Sequence, residues 1–520
     1  MIWLRILILL AFEASCEAIS TLDHSHSSLG AVMVDNTEDA FLILASTISE
    51  RMMSMEGGGG VKRLDADHVE RVSQSLRSMA TAQATLKTFD GAAHEAYQRT
   101  HSTTSLGKDK VTGRTTRAAQ RAGCTADALF ACELCELLEY PELNRECEEG
   151  TLLGRTVLLN TTLELTGSPG TNLEGESVLS VLVIHDPEYS GGAGLRHGGI
   201  NELVEDDRSI QDSSGKRGRL LIVLHDTLVN NLEETLRYLD TMPQPLTLQT
   251  GLINEAASVH GGIWKTARNL LETLIPILEE HGKATNTTNP AIHFVGRSLA
   301  GGVAGLSAAM LDGTIPTPNP RKHKKSKPIT TNSTNVTQPL TRDHLSGFAR
   351  GRVSAMCLGP CPCLSPNVRV AFVTSCIYGD DAIARATKAS LDRLCSRANR
   401  HLKGNIFGKR VSWMADTVAL TVSSLQSHVA GSEGEETKLS FPGKGYLVRP
   451  RRLGGLCSIH EVGGVSGREG IRAAVLWQLG DILLSKSLWR HHSLHSYIHG
   501  LDRVQLRNLS DSESEESSLH

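Results

Sequence analysis

The segment Ile292-His293-Phe294-Val295-Gly296-Arg297-Ser298-Leu299-Ala300-Gly301-Gly302 limits what this chain can fold into more than any other. A short apolar run, as buried strands are, passes through glycine into a stretch of small residues reaching Leu311. That pattern predicts a strand, a tight turn and a helix, with Ser298 at the tip of the turn. In such a turn the serine oxygen stands out over the sheet edge, and the residues two before and two after it approach each other. Both must be small. Gly296 meets the demand, and Ala300 adds one methyl. The helix then points its positive end, and its first N–H groups, at any negative oxygen developing beside Ser298. The alternative reading of Ser298 is an ordinary helix cap.

The surrounding chain alternates strands and helices. Val178 to His185, Leu220 to His225, Ile292 to Val295, Val353 to Cys357 and Val368 to Cys376 read as strands. Ala256 to Glu280 contains a long amphipathic helix, and Ser298 to Leu311 is a helix rich in small residues. Strands alternating with helices predict an α/β fold, a mostly parallel sheet with helices on both faces. Aromatic residues are only 4%, so its core must be mostly aliphatic. A helical N-terminal region precedes the sheet: Val69, Val72, Leu76, Met79 and Leu86 follow helical spacing. Residues 21–60 carry no dependable signal, Gly57 to Gly60 form a break, and 99–120 read as a polar linker. The domain reading is therefore 1–18 as a leader, 19–123 as a helical and partly disordered region, and 124–505 as the α/β domain. A Pro-, Thr- and Lys-rich insertion interrupts that domain at 313–350, and 506–520 form an acidic, Ser-rich tail.

Residues 1–18 carry Arg5, a compact apolar run from Ile6 to Phe12, and small residues at Ala14, Ser15 and Ala18. This is the pattern of a secretory signal peptide, the alternatives being a short anchor or a mis-assigned start. Removing Cys16 leaves ten of the 11 cysteines, and N-x-S/T sequons stand at Asn160, Asn286, Asn332, Asn335 and Asn508. Both features suit the secretory pathway or secretion, whereas the tail suits a cytoplasmic or membrane-associated protein. Cys132 and Cys135 have redox or zinc spacing but no histidine at ligand spacing, so core packing or an ordinary disulfide is expected and no metal. With 53 Lys+Arg against 57 Asp+Glu, the net charge of −4 argues against a nucleic-acid partner.

IHFVGRSLAGGVAGLSAAML (292–311) resembles the nucleophile elbow of the class 3 lipases, the fungal-type α/β-hydrolases. SVHGGIWKTARNLL (258–271) resembles the family's His-Gly segment and the helix before the elbow. The stretch 353–394 resembles the one ending at its acidic triad residue, LSFPGKGYLV (439–448) a later strand, and SLWRHHSLHSYIHGL (487–501) its terminal segment, with Tyr497 five residues after His492. The diacylglycerol-lipase-like branch, which tolerates a long insertion after the elbow helix, is the most similar. The resemblance implies an α/β-hydrolase fold and a cofactor-free serine hydrolase that cleaves acylglycerol esters, with peripheral contact to a membrane or lipid droplet. It implies Ser298 as nucleophile, Asp381 as acid and His492 as base, with Thr227 and the Leu299 N–H as oxyanion hole. Asp380 stays open as the acid, and His491 and His495 as the base; His260 and His293 read as structural. Three positions depart from the family pattern: His225-Asp226-Thr227 replaces Arg-Gly-Thr, Ala300 replaces the second elbow glycine, and Arg297 stands where His is usual. A carboxylate at Asp226 opposes charge building in the oxyanion hole unless it faces solvent. The alternative function is therefore a catalytically weakened lipase-like protein that binds lipid or a protein partner. Finally, Leu228, Val229, Leu232 and Leu236 recur at helical spacing opposite Glu233, Glu234 and Arg237. They predict either an amphipathic lid or a helix packed on the core.

Overall fold

The computed structural model describes residues 37–55, 65–81, 111–139, 151–152, 155–165, 177–187, 218–250, 253–285, 290–316, 349–368, 370–403, 439–450, 457–462 and 481–504. Residues 1–18, the tail, most of the insertion, and the sequons other than Asn160 lie outside them; Asn160 is exposed on a strand.

Nine strands form one sheet. In chain order they are β1 (Thr151–Leu152), β2 (Arg155–Glu164), β3 (Val178–Asp186), β4 (Arg219–Asp226), β7 (Ala291–Arg297), β8 (Val353–Leu358), β9 (Val373–Tyr378), β10 (Lys444–Pro450) and β11 (Cys457–Val462). Their spatial order is β1-β2-β3-β4-β7-β8-β9-β10-β11. The five strands from β4 to β10 are parallel, and antiparallel strands flank them on both sides. A separate hairpin holds β5 (Gln244–Thr250) and β6 (Ile253–Val259). β4 reads Arg-Leu-Leu-Ile-Val-Leu-His-Asp and is buried nearly throughout, as a strand covered on both faces must be.

Alternate residues of each strand feed two cores. Leu220, Ile222, Leu224, Phe294, Ala355 and Val373 face one layer; Leu221, Val223, Val295, Met356 and Leu358 face the other. The first layer contains α1 (Thr37–Met55), α2 (66–81), α4 (Leu232–Leu239), α5 (Gly261–Thr285), α6 (Ser298–Asp312) and α7 (Lys388–Lys403). The second contains α3 (Val111–Glu139) and the terminal helix α8 (494–504). α6 is buried on nearly every side, so its residues are small or apolar all round. A Cβ at Gly305 would lie 2.6 Å from Pro442, so glycine lets the helix close onto its neighbours.

The structure departs from the sequence expectations at four places. α1 lies inside 21–60, where no signal was read, and α3 begins within the expected linker. Ala256 to Val259 belong to β6, so the long helix starts only at Gly261. The strand expected from Val368 begins only at Val373, as β9. The 228–239 segment is a 3-10 turn followed by α4, and Leu228, Val229, Leu232, Leu236, Tyr238 and Leu239 are all buried, so the core-packed alternative holds. The nine described cysteines are buried free thiols, Cys132 and Cys135 among them, which is core packing rather than a disulfide.

Candidate active site

Ser298 is the first residue of α6, directly after β7, and has φ 61, the single positive value among the described non-glycine residues. Such backbone costs about 1–3 kcal/mol and survives only where the surroundings enforce it. Here β7 and α6 enforce it by closing tightly on each other: a Cβ at Gly296 would sit 2.5 Å from the Ala300 carbonyl oxygen, so only glycine fits. The Ser298 side chain is fully buried and its Oγ has no hydrogen-bond partner.

Asp381 follows β9 and is fully buried. Both its carboxylate oxygens lie 3.0 Å from His492 Nδ1. Tyr497 Oη donates to Oδ2 at 2.7 Å, and the Ile383 N–H donates to Oδ1 at 2.9 Å. Burial alone would push this carboxyl up, but the imidazole, its hydrogen bond, the Tyr497 hydroxyl and Arg385 together hold it below the usual carboxylate range. Arg385 spends its donors on the Asp381 and Gly379 backbone carbonyls, at 2.5 and 2.8 Å. His492 ends the 3-10 turn Arg490–His492, is buried, and stacks against Trp489 at 5.4 Å. With Nδ1 tied to the carboxylate, its Nε2 is left buried and unpartnered. The alternatives lie elsewhere: His491 Nδ1 accepts from the Asp380 N–H, and His495 stacks on His499. His260 and His293 are structural, bonded to Thr241 and Ser354, and burial pushes them down to about 4 and about 3.

Strand register brings these groups to one sheet edge. β7 pairs with β8 through Arg297 and Leu358, so Gly359 lies beside the elbow. A Cβ on Gly359, which has φ +50, would lie 2.5 Å from both Asp381 Oδ2 and Tyr497 Oη. Arg297 ties the edge together: Nη1 donates to the His492 carbonyl at 2.9 Å, and Nη2 reaches Glu139 at 3.2 and 3.3 Å. Gly359, Arg297 and the Tyr497–Asp381 bond were not assigned roles from sequence. The five-residue spacing of His492 and Tyr497 was the available signal.

One expectation needs correction, and at Asp226 one of two open alternatives is excluded. Thr227 is exposed, and its Oγ1 is engaged by the Val178 backbone N–H at 3.1 Å and carbonyl at 3.4 Å, so its side chain is turned away from the elbow. Asp226 does not face solvent. It is buried, and its Oδ2 accepts from the Ala300 N–H at 3.0 Å while Oδ1 has no partner. Burial pushes its carboxyl up to about 6, against the Ala300 and Val229 N–H groups, Arg297 and His492.

No family model matches the chain, and no curated protein does. Solved structures that are similar include lipase II from Rhizopus niveus, at 12% identity over 52% of this chain and 74% of that one, TM-score 0.25. A lipase from Rhizopus microsporus var. chinensis is similar at 10% over 52% and 68%, TM-score 0.25. The Rhizomucor miehei lipase propeptide complex is similar at 10% over 52% and 63%, TM-score 0.24. The parallel strands β4 to β10, the helices on both faces and the strained strand–serine–helix turn at the sheet edge give the chain an α/β-hydrolase fold.

Proposed function

We propose that this chain is a lipase-like serine hydrolase that cleaves carboxylic esters of acylglycerols, tri- or diacylglycerol. The observation that carries the reading is the positive φ of Ser298 at the β7–α6 turn, on the sheet edge that also holds a buried His492–Asp381 pair with its outer nitrogen unused. Ser298 Oγ attacks the ester carbonyl while His492 Nε2 takes its proton. The tetrahedral oxyanion is held by backbone N–H groups, those of Leu299 and Thr227. As it collapses, the C–O bond to the alcohol breaks and His492 returns the proton to the leaving oxygen. Water, deprotonated by His492 in turn, releases the acyl group. Asp381, held by Tyr497, keeps the imidazole tautomer and supports its cation.

The sequence insertion after α6 supports the diacylglycerol side of the substrate range, and contact with a membrane or droplet surface follows from such substrates. The leader-like residues 1–18 support a secretory location, and a glycan on exposed Asn160 would mark it. Unpaired thiols fit the cytoplasmic alternative instead. A second reading, a silent lipase-like binding protein, is favoured by one observation, the Asp226 carboxylate on the elbow amide. A fluorophosphonate probe separates the two. Native protein that labels while Ser298→Ala does not supports the hydrolase; absence of labelling supports the binding protein.

A further inference from the structure

The parallel register pairs Leu224 of β4 with Gly296 of β7, which brings Asp226 level with Ser298 at the sheet edge. There its Oδ2 holds the Ala300 N–H, in the first turn of the elbow helix, and its Oδ1 is buried without a partner. A carboxylate in that position already satisfies the positive helix end that ester attack requires, and it repels a second anion beside it. A neutral acid keeps the hydrogen bond, removes the repulsion, and offers an O–H. We propose that Asp226 gates the chemistry of Ser298 through its own ionisation, the neutral acid permitting attack and the carboxylate opposing it. The inference rests on Ser298 being the nucleophile of an ester hydrolase.

The groups that face Asp226 come from five other places in the fold and from its own strand. Arg297, from β7, is committed to Glu139 and to the His492 carbonyl. His492 faces it from the terminal turn, tied to Asp381. Tyr238 of α4, Cys135 of α3 and Cys361 after β8 also face it, and burial pushes all three up, Cys135 to about 12, so they stay neutral. His225, next to it on β4, is pushed down to about 4 by burial and Arg297 and is neutral as well. Asp226 therefore changes charge close to pH 6, within the range where the hydrolase would work.

The test compares the native chain with Asp226→Asn, which keeps an oxygen for the Ala300 N–H and cannot ionise. The second-order rate of labelling by a fluorophosphonate is measured from pH 5 to 8. In that reaction the Ser298 Oγ–P bond forms, fluoride leaves, and the hydroxyl proton passes to His492. The rest of the site is common to the two proteins, so their rate ratio reports the charge at position 226. The expected ratio is near one at pH 5 and roughly tenfold in favour of Asn at pH 7, because a group titrating near 6 is only about one-tenth neutral there. A ratio that stays constant over this range overturns the gate. If neither protein labels at any pH, the hydrolase reading falls and the gate falls with it. Circular dichroism checks that the variant folds. If it does not, Asp226→Ser, short, uncharged and still an acceptor, is measured in its place with the same expected ratio.

Discussion

Gly359 has no chemistry of its own, yet it decides where the Asp381 carboxylate sits. A methyl there would approach Asp381 Oδ2 and Tyr497 Oη at 2.5 Å, and the backbone has positive φ besides. Gly359→Ala should therefore push Asp381 off the His492 Nδ1 line. A misplacement of about 1 Å costs roughly 10²-fold in rate. Labelling of Ser298 should fall by that order while the far-ultraviolet dichroism is kept; unchanged labelling would mean that the loop yields and the carboxylate stays. At this scale the sequence was legible where local sterics rule. Gly296 and Ser298 could be read because a strand–turn–helix forces small residues around the serine. Asp226 could be flagged as a charge but not located, because its burial depends on how β4 and β7 align. Gly359 in Leu-Gly-Pro-Cys looks like any turn glycine until Asp381 and Tyr497, which come later in the chain, fold against it.

Among the elements, α4 and the turn before it occupy the place where a movable cover was one of two expectations, and they are packed down. α1 holds them. Arg51 pairs with Asp240 at the end of α4 and with Asp392 of α7 at 2.5 Å, and Arg237 reaches Glu50 at 3.6 Å. Ser298 has no exposed surface, so a substrate can reach it only after some element shifts. Arg51→Ala removes charge-assisted hydrogen bonds worth about 2 kcal/mol. The expected result is a lower melting temperature together with faster fluorophosphonate labelling; a lower melting temperature with unchanged labelling would show that α1 only stabilises. The helical spacing of α1 is present at Phe41, Leu44, Ala45, Ile48 and Met52, but Leu42 and Ile43 fill the gap between and blur the stripe. The reverse mismatch is at β6, where Ala256 and Ala257 favour helix by propensity and pairing with β5 overrides them, Leu246 facing Ala257.

For the whole molecule, the N-terminal helices are part of both cores. α1 contributes Phe41, Leu44 and Ile48 to one layer, and α3 contributes Ala128, Cys132 and Leu138 to the other, against Leu182, Leu221 and Val223. A chain beginning at residue 150 should therefore expose the sheet face that α3 covers, bind a hydrophobic dye and aggregate. A soluble truncation melting like the full chain would reduce these helices to accessories. The sequence placed a change of pattern near 124, whereas α3 runs through it without a break, because a helix continues as long as its buried stripe has a partner. The cysteines give this two-layered architecture a further use. Cys357, Cys361, Cys363 and Cys395 lie in one layer, and Cys124, Cys132, Cys135, Cys376 and Cys457 in the other, all buried as thiols. An alkylating reagent meets each sulfur only when its layer opens, so the order of alkylation in mild denaturant is a clock that times the separation of the two halves without any engineered label.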